Sequence, residues 1–96
     1  MSAYVIAMVT VTDPEKYNKY SAKATVASQK YGGQFVVRGG NPQVLEGSMP
    51  HQRVVVNQFE SREQAVKFYN SMEYQDAKTE RTGASDFNMV VVDGVA

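Results

Sequence analysis

The sequence predicts an α+β fold, a four-stranded antiparallel sheet with two helices on one face. Three observations predict it. Apolar, β-branched stretches and helical stripes follow one another in the order strand, helix, strand, strand, helix, strand. Each helical stretch opens on a capping signal and closes on glycine. The first, third and fourth strands are apolar on both faces, and two helices can cover only one of them.

Ala3 to Thr12 is rich in Val, Ile, Tyr and Thr and reads as the first strand. Tyr4, Ile6 and Met8 share one face, and Val5, Ala7 and Val9 share the other. Asp13-Pro14-Glu15 starts a helix: Asp13 can accept from the first free amides, and Pro14 suits the first helical position. Tyr17, Tyr20, Ala24, Ala27 and Tyr31 recur at steps of three and four and form its apolar stripe. Gly32-Gly33 ends it. Gln34 to Arg38 is the second strand, interrupted at Gly39-Gly40-Asn41-Pro42 and expected to resume from Gln43 to Glu46. Gly47 to Gln52 is then a hairpin connection, and Arg53 to Phe59 the third strand. Ser61-Arg62-Glu63-Gln64 is a capping box before the stripe Ala65, Phe68, Tyr69 and Met72. The stripe then loses phase, and a capping-like Asn70-x-x-Glu73 starts a new face with Tyr74, Ala77, Lys78 and Arg81. The expectation is a helix broken near Asn70-Ser71 and ended by Gly83. Phe87 to Asp93 is the last strand. This order is the split βαβ, or ferredoxin-like βαββαβ, plan.

Ninety-six residues make one domain, 1–96, with no room for a second. Ten basic and ten acidic residues give no net charge, which argues against nucleic acid and membrane surfaces as partners. With no cysteine and one histidine, disulfides, cysteine nucleophiles, thiolate metal sites and multi-histidine cages are excluded, and no metal or cofactor is expected. The longest apolar run, Ala3 to Val9, is far short of the ~20 residues of a membrane helix. No leader-like basic-then-apolar segment opens the chain, so a soluble, cytoplasmic location is expected. The uncovered apolar sheet face marks an interface, and its simplest cover is the same face of a second copy. Asp placed at Val55 or Val90 is expected to shift that homodimer toward monomer or to unfold it. The other reading is a second face made tolerably polar by Gln34, Arg53, Asn57, Gln58 and Asn88.

Candidate chemistry is sparse. With Gly47 opposite Gln52, Glu46 would face Arg53 across the hairpin, as a register-fixing surface pair or as a holder for an anion-gripping arginine. Arg38, at the end of the second strand, either clamps a carboxylate or enolate in a two-pronged contact or reaches solvent. Tyr17, Tyr20, Tyr31, Tyr69 and Tyr74 put phenols on the helices, as core with a wet edge or as the rim of a small pocket. A polar Asn57 or Gln58 in an apolar strand must find a partner if buried, and a one-residue slip exchanges the two. His51 reads as a loop histidine beside Pro50, and as the chain's sole histidine it is a candidate proton carrier.

Taken in order, Tyr4-Val5-Ile6, Asp13-Pro14, Tyr17, Tyr20, Gly32-Gly33, Arg38-Gly39-Gly40, Leu45-Glu46-Gly47 and Arg53-Val54-Val55 resemble one family along essentially the whole chain. Phe59, Ser61, Tyr69, Ser71, Tyr74, Arg81 and Val92-Asp93-Gly94-Val95 complete the set. The family is the uncharacterised domain of unknown function thirteen-thirty, in the dimeric α+β barrel superfamily. The resemblance implies a ferredoxin-like subunit and a homodimer whose two sheets form a barrel, and it brings no known reaction. The wider superfamily includes cofactor-free monooxygenases, isomerases and dehalogenases, and some haem enzymes, with sites in a cleft between helices and sheet. By that analogy the family's polar set maps onto Arg38, Glu46, Arg53, Ser71, Tyr74 and Arg81. Gln58 stands where members often carry Glu, so a base used in relatives would be missing here, and His51 sits poorly for a haem ligand.

The expected function is a pocket for a small anionic or enolisable molecule, without cofactor and open to catalysis. Arg38 and Arg81 would hold the anion, and Tyr74 or Tyr69 would donate a hydrogen bond or proton. His51 would be a distant base. The alternatives are a non-catalytic ligand binder and a purely structural dimer.

Overall fold

The computed structural model describes residues 2–95. Its elements are β1 (Ala3–Val11), α1 (Pro14–Lys30), β2 (Gln34–Gly39), β3 (Arg53–Phe59), α2 (Arg62–Asn70), α3 (Met72–Thr79) and β4 (Ser85–Asp93). The strands form one antiparallel sheet in the order β2-β3-β1-β4, the ferredoxin-like arrangement.

The register fixes which side chains share a face. Opposite Val5 stand Asn57 and Val91, opposite Ala7 stand Val55 and Met89, and opposite Val9 stand Arg53 and Phe87. These residues, with Ala3 and Phe59, turn toward the helices and meet Tyr17, Tyr20, Ala24, Ala27, Ala65, Phe68, Tyr74 and Ala77 in the core. The other face carries Tyr4, Ile6, Met8, Val54, Val56, Val90 and Val92, with no helix over it. Val90 is 47% exposed and Val92 39%. The sheet is therefore apolar on both faces, as its alternation predicts. Val55 belongs to the helix side and Val90 to the outer face, so the two expected effects of an Asp, unfolding and loss of the dimer, divide between them.

The helix starts follow the sequence. The side chain of Asp13 accepts from the Lys16 amide, with Pro14 behind it. Ser61 Oγ accepts from the Gln64 amide, but only this half of the capping box forms, because the Gln64 side chain donates instead to the Tyr31 carbonyl. The break between α2 and α3 falls at Ser71, within the expected Asn70-Ser71. Ser71 is extended and its Oγ accepts from the Tyr74 amide, so the new helix starts one residue later than the capping-like Asn70 suggests. It stops at Thr79, and Gly83 lies in the turn that follows. Lys23 links α1 to Asp76 and Glu80, and Lys30 and Tyr31 link it to Glu73.

One expected element is absent. Gln43 to Glu46 does not resume the second strand, which ends at Gly39. Gly39, Gly40 and Asn41 take φ of 94°, 65° and 45°, and three consecutive left-handed residues turn the chain off the sheet. Pro42 then offers no amide to a ladder. The connection from Gly40 to Gln52 is a long loop, not a tight hairpin. Among the described residues, no helix is long and apolar enough to cross a membrane.

Candidate functional site

A cavity of about 40 Å³ lies between α1 and the helix face of the sheet. Its sheet wall is Val5, Ala7, Val55, Asn57, Phe87 and Met89, and its helix wall includes Tyr17, Tyr20, Ala24 and Tyr74. Arg38, exposed on the edge strand β2, and Arg53, half-buried on β3, supply its charge. No Asp or Glu lines it.

β-strand alternation puts Arg53, Val55 and Asn57 on one face of β3, and a two-residue step carries each into the cavity. The Arg53 guanidinium lies 5.6 Å from the Tyr17 ring centre. Its Nε is buried without a hydrogen-bond partner. Asn57 is 4% exposed. Its Nδ2 donates to Ser28 Oγ at 2.8 Å, and its Oδ1 is buried without a partner. Arg38 packs its guanidinium over Phe35, 4.4 Å from the ring centre. It donates to Ser21 Oγ at 3.3 Å and to Thr25 Oγ1. On the inner wall Tyr20 and Tyr74 share a hydrogen bond of 2.9 Å. Burial and the neighbouring Tyr74 push the Tyr20 hydroxyl far above the usual phenol range, so it stays protonated.

The structure brings together Arg38, Arg53 and Tyr74 from the expected set. Tyr69, Ser71 and Arg81 stand behind the tyrosine wall of the cavity without lining it: the Tyr69 ring lies 5.3 Å from that of Tyr74, Ser71 Oγ accepts from the Tyr74 amide, and the Arg81 guanidinium lies 5.0 Å from the Tyr20 ring centre, while Glu46 and His51 are not brought to it. Arg81 stacks on Phe87 at 3.8 Å, and with Tyr69 it lines a separate opening beside β4. Ser71 caps α3 and donates its hydroxyl to the Phe68 carbonyl at 2.7 Å. Glu46 does not face Arg53: it is exposed in the loop, because the strand that would have carried it there never forms, and Arg53 pairs instead with Val9 of β1. His51 sits at the opposite face of the sheet from Tyr74. Its Nδ1 is 3.1 Å from Thr10 Oγ1 and its Nε2 is 3.0 Å from Asn88 Nδ2. The choice between Asn57 and Gln58 falls to Asn57, since Gln58 lies on the outer face and donates to Ser2 Oγ.

Sequence reading missed Ser28 and Lys78. Ser28 is fully buried and anchors Asn57. Its signal is its place four residues after Ala24, on the edge of the α1 stripe. Lys78 donates to the Tyr69 hydroxyl at 2.9 Å and carries only its helical spacing from Tyr74 as a signal.

The family model described as Domain of unknown function (DUF1330) matches residues 2–95. No curated protein matches the chain. Among solved structures, a protein of unknown function from Rhodopseudomonas palustris is 17% identical, with a TM-score of 0.80 over 99% of this chain and 83% of that one. A dimeric ferredoxin-like protein of unknown function from Jannaschia sp. CCS1 is 12% identical, with a TM-score of 0.78 over 98% of this chain and 100% of that one. SnoaB, a cofactor-independent oxygenase from Streptomyces nogalater, is 12% identical, with a TM-score of 0.65 over 99% of this chain and 94% of that one. At such identities the likeness is one of fold.

Proposed function

The chain belongs to the family described as Domain of unknown function (DUF1330), and from that footing we propose a homodimer that binds a small anionic or enolisable molecule in the cavity beneath α1. Arg53 carries this reading. It is a half-buried cation whose Nε has no partner, facing a cavity with no acidic side chain in its lining. An unpaired buried charge is costly, and a carboxylate or enolate oxygen is the group that compensates it. Asn57 Oδ1, also buried and unbonded, asks for a donor. The pair therefore suits a ligand with an anionic oxygen and a hydroxyl, such as a small hydroxy acid or an enol.

Self-association is supported by the apolar outer face and by the dimeric ferredoxin-like neighbours, one from Jannaschia and one from Bacteroides fragilis. The unit is then one α+β barrel made of two copies, with each cavity on the outside of the joined sheets and independent of the interface.

The reading stops at binding. Proton abstraction needs a base, and the lining offers guanidinium groups, an amide and tyrosine hydroxyls. The Tyr20 hydroxyl, kept protonated by burial and bonded to Tyr74, can donate a hydrogen bond but is no base for taking a proton from an enolate's precursor.

Titration with acetoacetate, both anionic and enolisable, followed by nitrogen-15 NMR, tests the site. The Arg53 Nε–H and the Asn57 side-chain amide signals should move together and saturate, and Arg53→Gln should remove the response. Saturable shifts that bypass both groups, or none, would count against it.

A further inference from the structure

A second opening, of about 350 Å³, lies on the other flank of the molecule, between the α2–α3 pair and β4. Its volume falls within the range of ordinary small-ligand pockets. The floor is apolar: Ala65 and Val66 from α2, and Phe87, Met89 and Val91 from β4. Two cations stand over it, Lys78 from the last turn of α3 and Arg81 from the turn that follows.

Neither cation is neutralised. The ion pairs among the described residues use Lys23, Lys30 and Arg62. Lys78 holds only the neutral Tyr69 hydroxyl, at 2.9 Å. Arg81 stacks its guanidinium on Phe87, 3.8 Å from the ring centre, with Nε buried and unbonded. No Asp or Glu lines the opening. Lys78 and Arg81 are three residues apart, so two like charges border one apolar trough with nothing between them to offset their repulsion.

We propose that this groove binds an amphipathic monocarboxylate, a medium-length straight-chain fatty acid, with its carboxylate between Lys78 and Arg81 and its chain on the Val66–Val91 floor. Charge complementarity fixes the head, since a carboxylate accepts from an ammonium and a guanidinium at once. The floor fixes the tail, because it presents no polar side chain that would read a sugar, a base or a peptide. The site is separate from the cavity beneath α1: Val5, Phe87 and Met89 form the wall common to both, and Arg53 and Asn57 lie on the far side of it.

Titration of the folded protein with sodium octanoate, read by amide chemical shifts, tests this. Saturable shifts are expected at Val66, Tyr69 and Val91. Octan-1-ol, which keeps the tail and lacks the charge, should bind about tenfold more weakly or worse. Lys78→Gln with Arg81→Gln should abolish the preference for octanoate over octanol. Equal binding of octanol and octanoate to the unaltered protein would overturn the proposal, as would shifts confined to Arg53, Asn57 and Tyr17, or no saturation. The alcohol comparison needs no variant, so a failure of the double substitution to fold does not protect the idea.

Discussion

Tyr20 and Tyr74 donate and accept a single hydrogen bond, 2.9 Å between their oxygens, and it joins α1 to α3 inside the core. Neither ring is more than marginally exposed. Removing one hydroxyl leaves the other without its partner, which costs roughly 1–3 kcal/mol, more than the net worth of the bond itself. Tyr74→Phe should therefore lower the denaturant midpoint clearly. Adding Tyr20→Phe should cost less than the sum of the two single changes. Strict additivity in the unfolding curves would mean that the two hydroxyls do not depend on each other.

Tyr20 makes the fold sensitive to alkali. Burial and Tyr74 raise the Tyr20 pKa in the folded chain above its ordinary 10.0. A raised pKa means that the folded state holds the proton after the unfolded chain has released it. The contribution is complete below pH 10 and is lost as pH rises beyond it, at up to about 1.4 kcal/mol per pH unit. Stability measured from pH 9 to 11 should fall, and Tyr20→Phe should flatten that fall. An identical slope in the variant would contradict the assignment.

Gly33 sits in a crowded corner between the end of α1 and β3. A methyl group there would lie 2.2 Å from Ser28 Oγ and 2.8 Å from both Asn57 Oδ1 and the Phe59 ring. All three groups are held, Ser28 and Asn57 by their mutual hydrogen bond and Phe59 by core packing. Gly33→Ala should cost about 1–3 kcal/mol in thermal or chemical unfolding and displace the Asn57 side-chain signals. A neutral substitution would mean that this corner is looser than the packing implies.

Val55 and Val90 separate the two faces of the sheet. Val55→Asp puts a charge among apolar groups beside the cavity and should prevent cooperative folding. Val90→Asp changes a side chain that is 47% exposed in the single subunit. It should leave the subunit folded and shift the assembly to monomer in sedimentation. A Val90→Asp protein with unchanged sedimentation would remove the outer face from the interface.

Much of this fold was legible in the residues because each element carries its own punctuation. Asp13-Pro14, Ser61 and Gly32-Gly33 bound helices by local rules, and the Val-rich runs of β3 and β4 admit little but strand. Gln43 to Glu46, inside the loop from Gly40 to Gln52, has a pattern compatible with a strand. Only the φ values of Gly39, Gly40 and Asn41 show that the chain has already left the sheet. The Glu46–Arg53 pairing failed with it. Asn57 and Gln58 both stand out as polar residues in an apolar strand, but a period of two cannot say which of them faces inward until a register is known. Arg38 and Arg81 carry the same charge and were expected on one ligand. Their separation into two openings depends on Phe87 and Met89 standing between, and no spacing in the chain encodes that.

That one sheet face joins two copies while the other holds a small anion is tested most directly by native mass spectrometry of the freshly purified protein beside Arg53→Gln. The predicted result is a dimer for both, with a small anionic molecule released on denaturation from the unaltered protein and absent from the variant. A monomer, or an adduct that Arg53→Gln retains, would contradict it.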